Sequence, residues 1–319
     1  MIDTETGVIA AEAPQGVLNL NSIRALATNG AELVKVRVNT FLLATAWCGY
    51  FLAAQRTGRP AIGVGLLHAL LGIGMVSCGS AALNEVVERD IDKLMYRTAR
   101  RPIPAGRVRA LDAAIFGSLL ILVGAAYLAF FTNPLTGALT LLTAIVYLGA
   151  YTPLKRVSPV CTAIGAVPGA MPGVLGWAAC AGRLHWGALA LFAILFFWQF
   201  PHFFSIAWLY RDDYERGGIR MLPVVEPDGR STAWRIIVYS LVLIPVSLVP
   251  TWIGMTGRIY AAAAILLGLA VVLAGSNLAR LNQPLSSSLS RARARRLLQA
   301  TIFYLPALLA FMVLDSLRP

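Results

Sequence analysis

The sequence predicts an all-α, polytopic membrane protein with about nine transmembrane helices around a central cavity. Two observations carry this prediction. First, 58% of the residues are hydrophobic and only 13% are charged, whereas soluble domains average about 25% charged residues. Second, apolar runs of about 20 residues, long enough to cross a bilayer, recur along the chain. A third observation, the one-sided placement of the basic residues, predicts the orientation.

The chain divides into a polar N-terminal arm over residues 1–34, predicted to be partly disordered, and a single transmembrane domain over residues 35–319. The beginning of the arm contains acidic side chains, no arginine and no apolar core segment, so it predicts neither a secretory signal nor a mitochondrial transit peptide. The predicted spans are residues 38–55, 62–84, 111–131, 135–153, 160–181, 186–209, 233–254, 259–279 and 298–315.

The basic residues predict how these spans are oriented. If the N-terminus is cytoplasmic, nearly all of the 27 Lys and Arg residues lie in the cytoplasmic arm and loops, as is usual for bacterial inner-membrane proteins. The exceptions are Arg56, Arg59, Arg183, Arg258 and Arg318. The net charge of +12 is therefore interpreted as a topological signal. We expect a multi-pass protein of the bacterial inner (cytoplasmic) membrane that contacts the lipid bilayer and no nucleic acid.

The most informative stretch is NEVVERDID, residues 84–92, which continues directly from an apolar span. On a helix, Asn84, Glu88 and Asp92 lie four residues apart and project from one face. A row of oxygen-bearing side chains suits a hard divalent cation such as Mg²⁺ that holds a phosphate group. Charged side chains that continue out of a membrane helix need cations or a cavity around them. These three residues are therefore predicted to be catalytic.

A second acidic group, Asp212, Asp213 and Glu215, lies in the sixth loop, on the same predicted side of the membrane. The loops on the opposite side contain no carboxylate. We therefore expect the two acidic loops to form facing walls of the central cavity, with an active site that opens to the cytoplasmic side. Asp212 and Asp213 are the predicted catalytic residues of this second wall.

Basic residues in three loops on that side are candidates for binding a diphosphate group, because cationic side chains form charge-assisted hydrogen bonds with phosphate oxygens. For the two in the fourth loop, Lys155 and Arg156, a purely topological role is an equal alternative. The candidates are Arg89, Arg97, Arg101, Lys155, Arg156 and Arg211.

The stretch WQFPHFF, residues 198–204, places a histidine inside an aromatic span. A histidine in a membrane helix either forms a hydrogen bond between helices or belongs to a functional site. The aromatic side chains around His202 can form a flat hydrophobic wall. Trp198 and His202 are therefore predicted to contact a large planar ligand.

These segments together resemble the intramembrane prenyltransferase superfamily and, within it, the protoheme IX farnesyltransferases, also called haem O synthases. The resemblance covers roughly residues 38–315. It rests on NEVVERDID followed by RTARRPIP, on YTPLKR with GAVPGAMPGVLGW, and on WQFPHF with RDDYERGGIRMLPVV.

The resemblance implies a nine-helix prenyltransferase domain that binds farnesyl diphosphate through Mg²⁺ held by two aspartate-rich loops. The first family motif, an Asn and two Asp at four-residue spacing, carries over to Asn84, Glu88 and Asp92, with Glu88 in place of Asp. The second motif, two Asp four residues apart, is absent in that form, and Asp212, Asp213 and Glu215 occupy its place. The implied metal ligands are Asn84, Glu88, Asp92 and Asp213.

The implied reaction transfers a farnesyl group to a vinyl group of protoheme IX (haem B), giving haem O and diphosphate, with His202 in contact with the porphyrin or its iron. The implied partners are farnesyl diphosphate, haem B and a downstream haem-modifying enzyme. Three alternatives stay open: a related enzyme that prenylates an aromatic or quinone precursor, a transporter of an anionic substrate, and a haem-binding structural subunit. WQFPHF favours haem, and no internal repeat supports a transporter.

Overall fold

The computed structural model describes residues 20–226, 228–280 and 285–317, and these are helical without any strand. The described part of the predicted arm forms a helix, and residues 1–19 lie outside the described residues. The helices are α1 (Leu20–Leu33), α2 (Val36–Thr57), α3 (Val64–Asp92), α4 (Ala110–Phe131), α5 (Pro134–Leu154), α6 (Cys161–Ala181), α7 (Trp186–Leu209), α8 (Arg211–Arg216), α9 (Leu222–Val225), α10 (Arg230–Trp252), α11 (Arg258–Ala279) and α12 (Ser288–Ser316).

Eight of the described helices, α3 to α7 and α10 to α12, are long and apolar enough to cross a membrane. The predicted all-α, multi-pass fold is therefore confirmed. The remaining predicted span, residues 38–55, lies in α2, which has 22 residues, about 33 Å, but includes the polar residues Asn39, Thr45 and Gln55. Asn39 and Thr45 are buried within the protein. The count of nine stays a prediction.

Neighbouring helices pack in antiparallel pairs, α3 on α4, α6 on α7, α10 on α11 and α11 on α12. Helix α2 packs along α6, and α12 contacts both α7 and α2, so the last helix meets the first long one. One end of the bundle therefore collects the C-terminal ends of α3, α5 and α7. We call it the charged end, defined by Lys35 and the connections 93–109, 155–160 and 210–226.

Two helices extend beyond their predicted spans because residues that favour helices continue past the apolar stretch. Helix α3 includes the whole acidic motif and ends at Asp92. Helix α12 begins at Ser288 instead of residue 298, because Ser287 accepts a hydrogen bond from the amide of Ser290 and caps the helix. The added turns of α12 are rich in Ala, Leu and Arg, which have high helix propensity.

Helix α5 widens near its C-terminal end into a π-helical segment, Val146–Tyr151, and then forms a last turn with Pro153. Proline has no amide hydrogen and interrupts the regular α-helical bonding. Thr152 Oγ1 instead donates to the carbonyl oxygen of Tyr147 at 2.9 Å. Segments of this kind are frequent at functional sites, and this one leads directly into Lys155.

Helices α2 and α6 approach closely because small residues line their contact. A Cβ atom at Gly49 would lie 2.0 Å from the carbonyl oxygen of Gly173, and one at Gly176 would lie 1.8 Å from that of Ala46. Membrane helices use such residues to bring their backbones together. The glycine-rich stretch of the sequence therefore serves helix packing.

We expect Gly176→Ala to destabilise the protein by about 1–3 kcal/mol, because the new methyl group must displace the backbone of α2. Thermal unfolding in detergent, followed by tryptophan fluorescence, should show a lower Tm. Gly74→Ala is the matched control, since its Cβ would meet Leu43 at an ordinary 3.6 Å. An unchanged Tm for Gly176→Ala would contradict the close packing of α2 and α6.

Candidate active site

The C-terminal end of α3 presents the predicted motif residues on one buried face. Asn84, Glu88 and Asp92 are 2%, 7% and 0% exposed, whereas Arg89 and Asp90 on the same turn are exposed. Four residues make slightly more than one helical turn, which places the three side chains in a row. The helix runs without interruption through the motif, so their relative positions are fixed by the backbone.

Both carboxylates of this face are paired with basic side chains from other segments. Lys155 Nζ lies 2.6 Å from Glu88 Oε1, and Arg101 Nη1 lies 2.6 Å from Asp92 Oδ2. Lys155 also lies over the ring of Tyr151, 4.5 Å from its centroid. Burial disfavours the charged form of Lys155, but the charge of Glu88, its hydrogen bond to Lys155 and the nearby Tyr147 and Tyr214 together outweigh burial, and the pKa of Lys155 lies above its usual value. Lys155 therefore stays charged.

Asn84 is held by Lys35, a basic residue just before α2 whose place in the sequence predicts only a topological charge. Lys35 Nζ donates to Asn84 Oδ1 at 2.9 Å, and Asn84 Nδ2 donates to Thr152 Oγ1 at 3.3 Å. Burial, followed by the positive charges of Arg101 and Lys155, lowers the pKa of Lys35 to about 8. We call the assembled group the charged cluster. It consists of Lys35, Asn84, Glu88, Asp92, Arg101 and Lys155.

The charged cluster contains a buried oxygen that fits a divalent cation. Asp92 Oδ1 has no hydrogen-bond partner in the described part of the chain, and burying an unpaired carboxylate oxygen is costly. Among residues 20–226, 228–280 and 285–317, no three His, Cys, Asp or Glu side chains form a group able to hold a metal alone. Mg²⁺ is commonly bound by one or two carboxylates together with substrate phosphates and water.

The sixth-loop carboxylates lie in α8 and have different surroundings. Asp213 is 8% exposed; its Oδ1 accepts a hydrogen bond from the amide of Tyr96 at 3.2 Å and forms an ion pair with Arg216. Asp212 lies at the surface, where its Oδ2 is 2.7 Å from Arg291 Nη2. Asp213 is therefore the carboxylate that joins α8 to the connection after α3.

The connections after α3, α5 and α7 meet at the charged end. The guanidinium of Arg97 lies over the rings of Tyr210 and Tyr214, 5.1 Å and 6.0 Å from their centroids. The amide of Arg220 donates to the carbonyl oxygen of Lys155 at 2.8 Å. The structure thus brings together the two acidic loops and the fourth loop.

Two of the predicted diphosphate-binding residues lie away from the charged cluster. Arg89 is exposed, and its Nε is 3.7 Å from Asp90 Oδ2; a residue one position after Glu88 is turned by about 100° around the helix. Arg156 is also exposed. Arg211 is half-buried, and its Nε is buried without a hydrogen-bond partner within the described chain.

The two predicted ligand-contacting residues of α7 hold helices together. Trp198 Nε1 donates to the carbonyl oxygen of Thr301 at 2.8 Å, and His202 Nδ1 lies 3.0 Å from Thr301 Oγ1. Their rings stack with centroids 4.8 Å apart. Gln199 Nε2 donates to the carbonyl oxygen of Ala166 at 3.0 Å. The WQFPHF stretch is therefore a junction of α6, α7 and α12, and Nε2 is the nitrogen of His202 that Thr301 leaves available.

Comparison with known proteins identifies the family. A sequence model of the UbiA prenyltransferase family matches residues 42–294. Protoheme IX farnesyltransferase from Koribacter versatilis (strain Ellin345) is 52% identical over 293 residues, which are 92% of this chain and 94% of the relative. The protein of the same name from Solibacter usitatus (strain Ellin6076) is 44% identical over 290 residues, 89% of this chain and 97% of the relative.

Solved structures share the fold at low sequence identity. A structure of digeranylgeranylglyceryl phosphate synthase aligns with a TM-score of 0.75 at 14% identity, over 93% of this chain and 100% of that one. A UbiA homologue from Archaeoglobus fulgidus bound to DMAPP and Mg²⁺ aligns with a TM-score of 0.60 at 16% identity, over 89% and 99%. The family resemblance of the sequence motifs is thereby confirmed. The chain belongs to the UbiA prenyltransferase family and, within it, to the protoheme IX farnesyltransferases.

Proposed function

We propose that the protein transfers the farnesyl group of farnesyl diphosphate to a vinyl group of protoheme IX (haem B), giving haem O and diphosphate. The observation that carries this proposal is the charged cluster in a chain 52% identical to a protoheme IX farnesyltransferase. There Lys155 and Arg101 pair with the carboxylates of Glu88 and Asp92, and Lys35 donates to the amide oxygen of Asn84. A buried group of this kind suits an anionic substrate that binds together with a divalent cation.

Mg²⁺ is the cofactor of the proposed reaction. The residues that would hold it are Asn84, Glu88, Asp92 and Asp213, and the unpaired Oδ1 of Asp92 is the atom that fits it best. When bound with the diphosphate, Mg²⁺ neutralises the negative charge that grows on the leaving oxygens. The A. fulgidus homologue binds DMAPP and Mg²⁺, which supports the same use of the metal here.

The side chains of the cluster stabilise the departure of the diphosphate. As the bond between the allylic carbon and the diphosphate oxygen breaks, basic groups already in place stabilise the growing negative charge. Lys155 and Arg101 are the proposed contacts, with Arg97 and Arg211 adding positive charge from the surrounding loops. The C=C bond of the haem vinyl group then attacks the farnesyl cation, which apolar walls shield from water. Water adds to the new carbocation and loses a proton, which gives a hydroxyethylfarnesyl side chain.

Trp198 and His202 are the proposed contacts of the haem. Their rings stack on each other, and Nε2 of His202 is the proposed contact to the porphyrin or its iron. At 1.5 Å per residue, His202 lies about 10 Å along α7 from the end of that helix. The haem would then extend from the membrane-embedded part of the bundle towards the charged end.

We also propose that residues 35–319 form one domain in the bacterial inner membrane, with a cytoplasmic N-terminus and a cytoplasmic charged end. A downstream haem-modifying enzyme is the proposed recipient of haem O. The distribution of Lys and Arg supports this orientation.

Alkaline phosphatase fused after residue 319 should be active in the periplasm if α2 completes nine spans. Fluorescence from green fluorescent protein at the same position would contradict nine spans.

The reaction is tested with purified protein, haem B, farnesyl diphosphate and Mg²⁺, followed by mass analysis of the haem. We expect a product heavier by one farnesyl group and one hydroxyl group, and none when a chelator removes Mg²⁺. Folded protein that binds farnesyl diphosphate and leaves haem B unchanged would overturn the proposal. Prenylation of an aromatic ring acceptor under the same conditions would favour the quinone-precursor alternative.

We expect Asp213→Asn to lower kcat about 10-fold, or ~1.4 kcal/mol in the barrier, because Asp213 holds the amide of Tyr96 and the guanidinium of Arg216. Asp212→Asn is the matched control and should keep kcat within about twofold, since exposed ion pairs contribute about 0–1 kcal/mol. Steady-state haem farnesylation measures both. Equal losses in the two variants would contradict the different roles assigned to the two carboxylates.

A further inference from the structure

Lys35 lies in the charged cluster but comes from a segment outside the matched family region, which begins at residue 42. Its ammonium donates to the amide oxygen of Asn84 at 2.9 Å. An ammonium only donates hydrogen bonds, so the atom of Asn84 that faces it is the oxygen and not the nitrogen. Lys35 thus fixes the orientation of a residue in the first motif.

The backbone of Lys35 is held in an unfavourable conformation. Lys35 has φ 51° and ψ 54°, and no other non-glycine residue of the described ranges has a positive φ. The left-handed region costs an ordinary L-residue about 1–2 kcal/mol, and glycine or asparagine adopts it more easily. Strain of this kind is concentrated at functional sites. A lysine at this turn indicates that its side chain is needed there.

A clamp around the end of α1 holds Lys35 in place. Arg107 Nη2 lies 2.5 Å from Glu32 Oε2, and Arg107 also donates to the side chain of Asn29. Leu33 is buried against Ala82 and its neighbours in α3. The turn between α1 and α2 is therefore fixed on both sides, and the side chain of Lys35 points into the bundle.

The charge of Lys35 lacks a direct carboxylate partner. Glu88 and Asp92 are already bound by Lys155 and Arg101, and within the described chain no carboxylate lies at ion-pair distance from Lys35. Its contact is the neutral amide of Asn84. A half-buried cation without a direct counter-charge is costly, so this position favours the binding of an anion.

We propose that Lys35 is a third basic contact for the diphosphate of the prenyl donor, beside Arg101 and Lys155. This inference rests on the proposed function, because it takes the anion to be a prenyl diphosphate. The ammonium group stands at the end of a long, flexible side chain and binds phosphate oxygens, while the clamp keeps the backbone of Lys35 fixed. Arg37, two residues further, is exposed and has only the topological role.

The test compares Lys35→Met with Arg37→Met, which removes the same charge from the same segment. The dissociation constant for farnesyl diphosphate is measured by calorimetry with Mg²⁺ and without haem, and KM and kcat are measured with haem. We expect Lys35→Met to raise the dissociation constant and KM about 10–100-fold, because this is the effect of losing one hydrogen bond to a charged group. Lys35→Arg should restore most of the affinity, and Arg37→Met should match the wild type.

A dissociation constant for Lys35→Met within twofold of the wild type would overturn the proposal, as would an equal loss in Arg37→Met. If Lys35→Met does not fold, Arg107→Gln provides the second measurement, since it releases α1 and Lys35 and leaves the other five residues of the charged cluster unchanged. Weaker binding by Arg107→Gln supports the proposal, and unchanged binding overturns it. Wild-type protein that binds farnesyl diphosphate without farnesylating haem overturns the proposed reaction alone, whereas wild-type protein that binds none overturns both.

Discussion

Asp92→Asn should lower kcat for haem farnesylation about 10²–10³-fold while the protein stays folded in the membrane. Asparagine has nearly the same shape, so the packing around the end of α3 is kept. The change removes the negative charge next to Arg101 and replaces one carboxylate oxygen by an amide group, which cannot hold Mg²⁺ equally well. Losing one pre-arranged electrostatic contact of this kind lowers kcat about 10²–10³-fold. Steady-state turnover at saturating farnesyl diphosphate measures the effect.

The matched control is Asp90→Asn, two residues earlier on the same helix. The side chain of Asp90 is 73% exposed and pairs only with Arg89 and Lys93 at the surface, so kcat should stay within about twofold. Thermal unfolding and gel filtration in detergent establish that both variants are folded. Full activity in Asp92→Asn would remove the first motif from the mechanism.

Lys155→Met is expected to produce the second large loss, about 10²-fold in kcat/KM. Its ammonium is the partner of Glu88 at 2.6 Å, with the lysine and glutamate side chains only 13% and 9% exposed. Methionine keeps much of the length of the side chain and removes the charge. The variant therefore lacks a proposed diphosphate contact and leaves Glu88 buried without a partner.

The effect of Lys155→Met on stability can be separated from its effect on activity. Breaking a buried ion pair from one side costs about 3–5 kcal/mol of stability, whereas replacing both partners is often neutral. The double variant Glu88→Gln, Lys155→Met should therefore regain stability without regaining activity. Arg156→Met is the surface control and should match the wild type in kcat/KM. Recovery of activity in the double variant would show that Lys155 serves stability and not catalysis.

Periodic features of the sequence predict much of this fold. The span predicted at residues 186–209 coincides with α7, because a continuous apolar run is itself the property that places a helix in a bilayer. The row formed by Asn84, Glu88 and Asp92 follows from four-residue spacing on a helix. Both predictions depend on residues close together in the chain, so no knowledge of the packing was needed.

Features that depend on contacts between distant segments did not follow from the sequence. The stretch LVKVRV contains Lys35 and Arg37 in similar settings, and only the left-handed turn held by α1 directs one of them into the bundle. Arg89 is next to Glu88 in the chain but faces away from the charged cluster. Asp212 and Asp213 are likewise adjacent, and the contact with Tyr96 distinguishes them. In each case a tertiary contact, and not the residue type, determines the position.

The order of the charged cluster along the chain has a consequence for biosynthesis. All six members lie between Lys35 and Lys155, so all of them are synthesised before the first residue of α6. Each carboxylate at the membrane boundary can therefore meet its basic partner while the second half of the chain is still being translated. Neutralisation within the nascent protein lowers the free energy of moving α3 from the translocon into lipid, before any diphosphate or metal ion is bound.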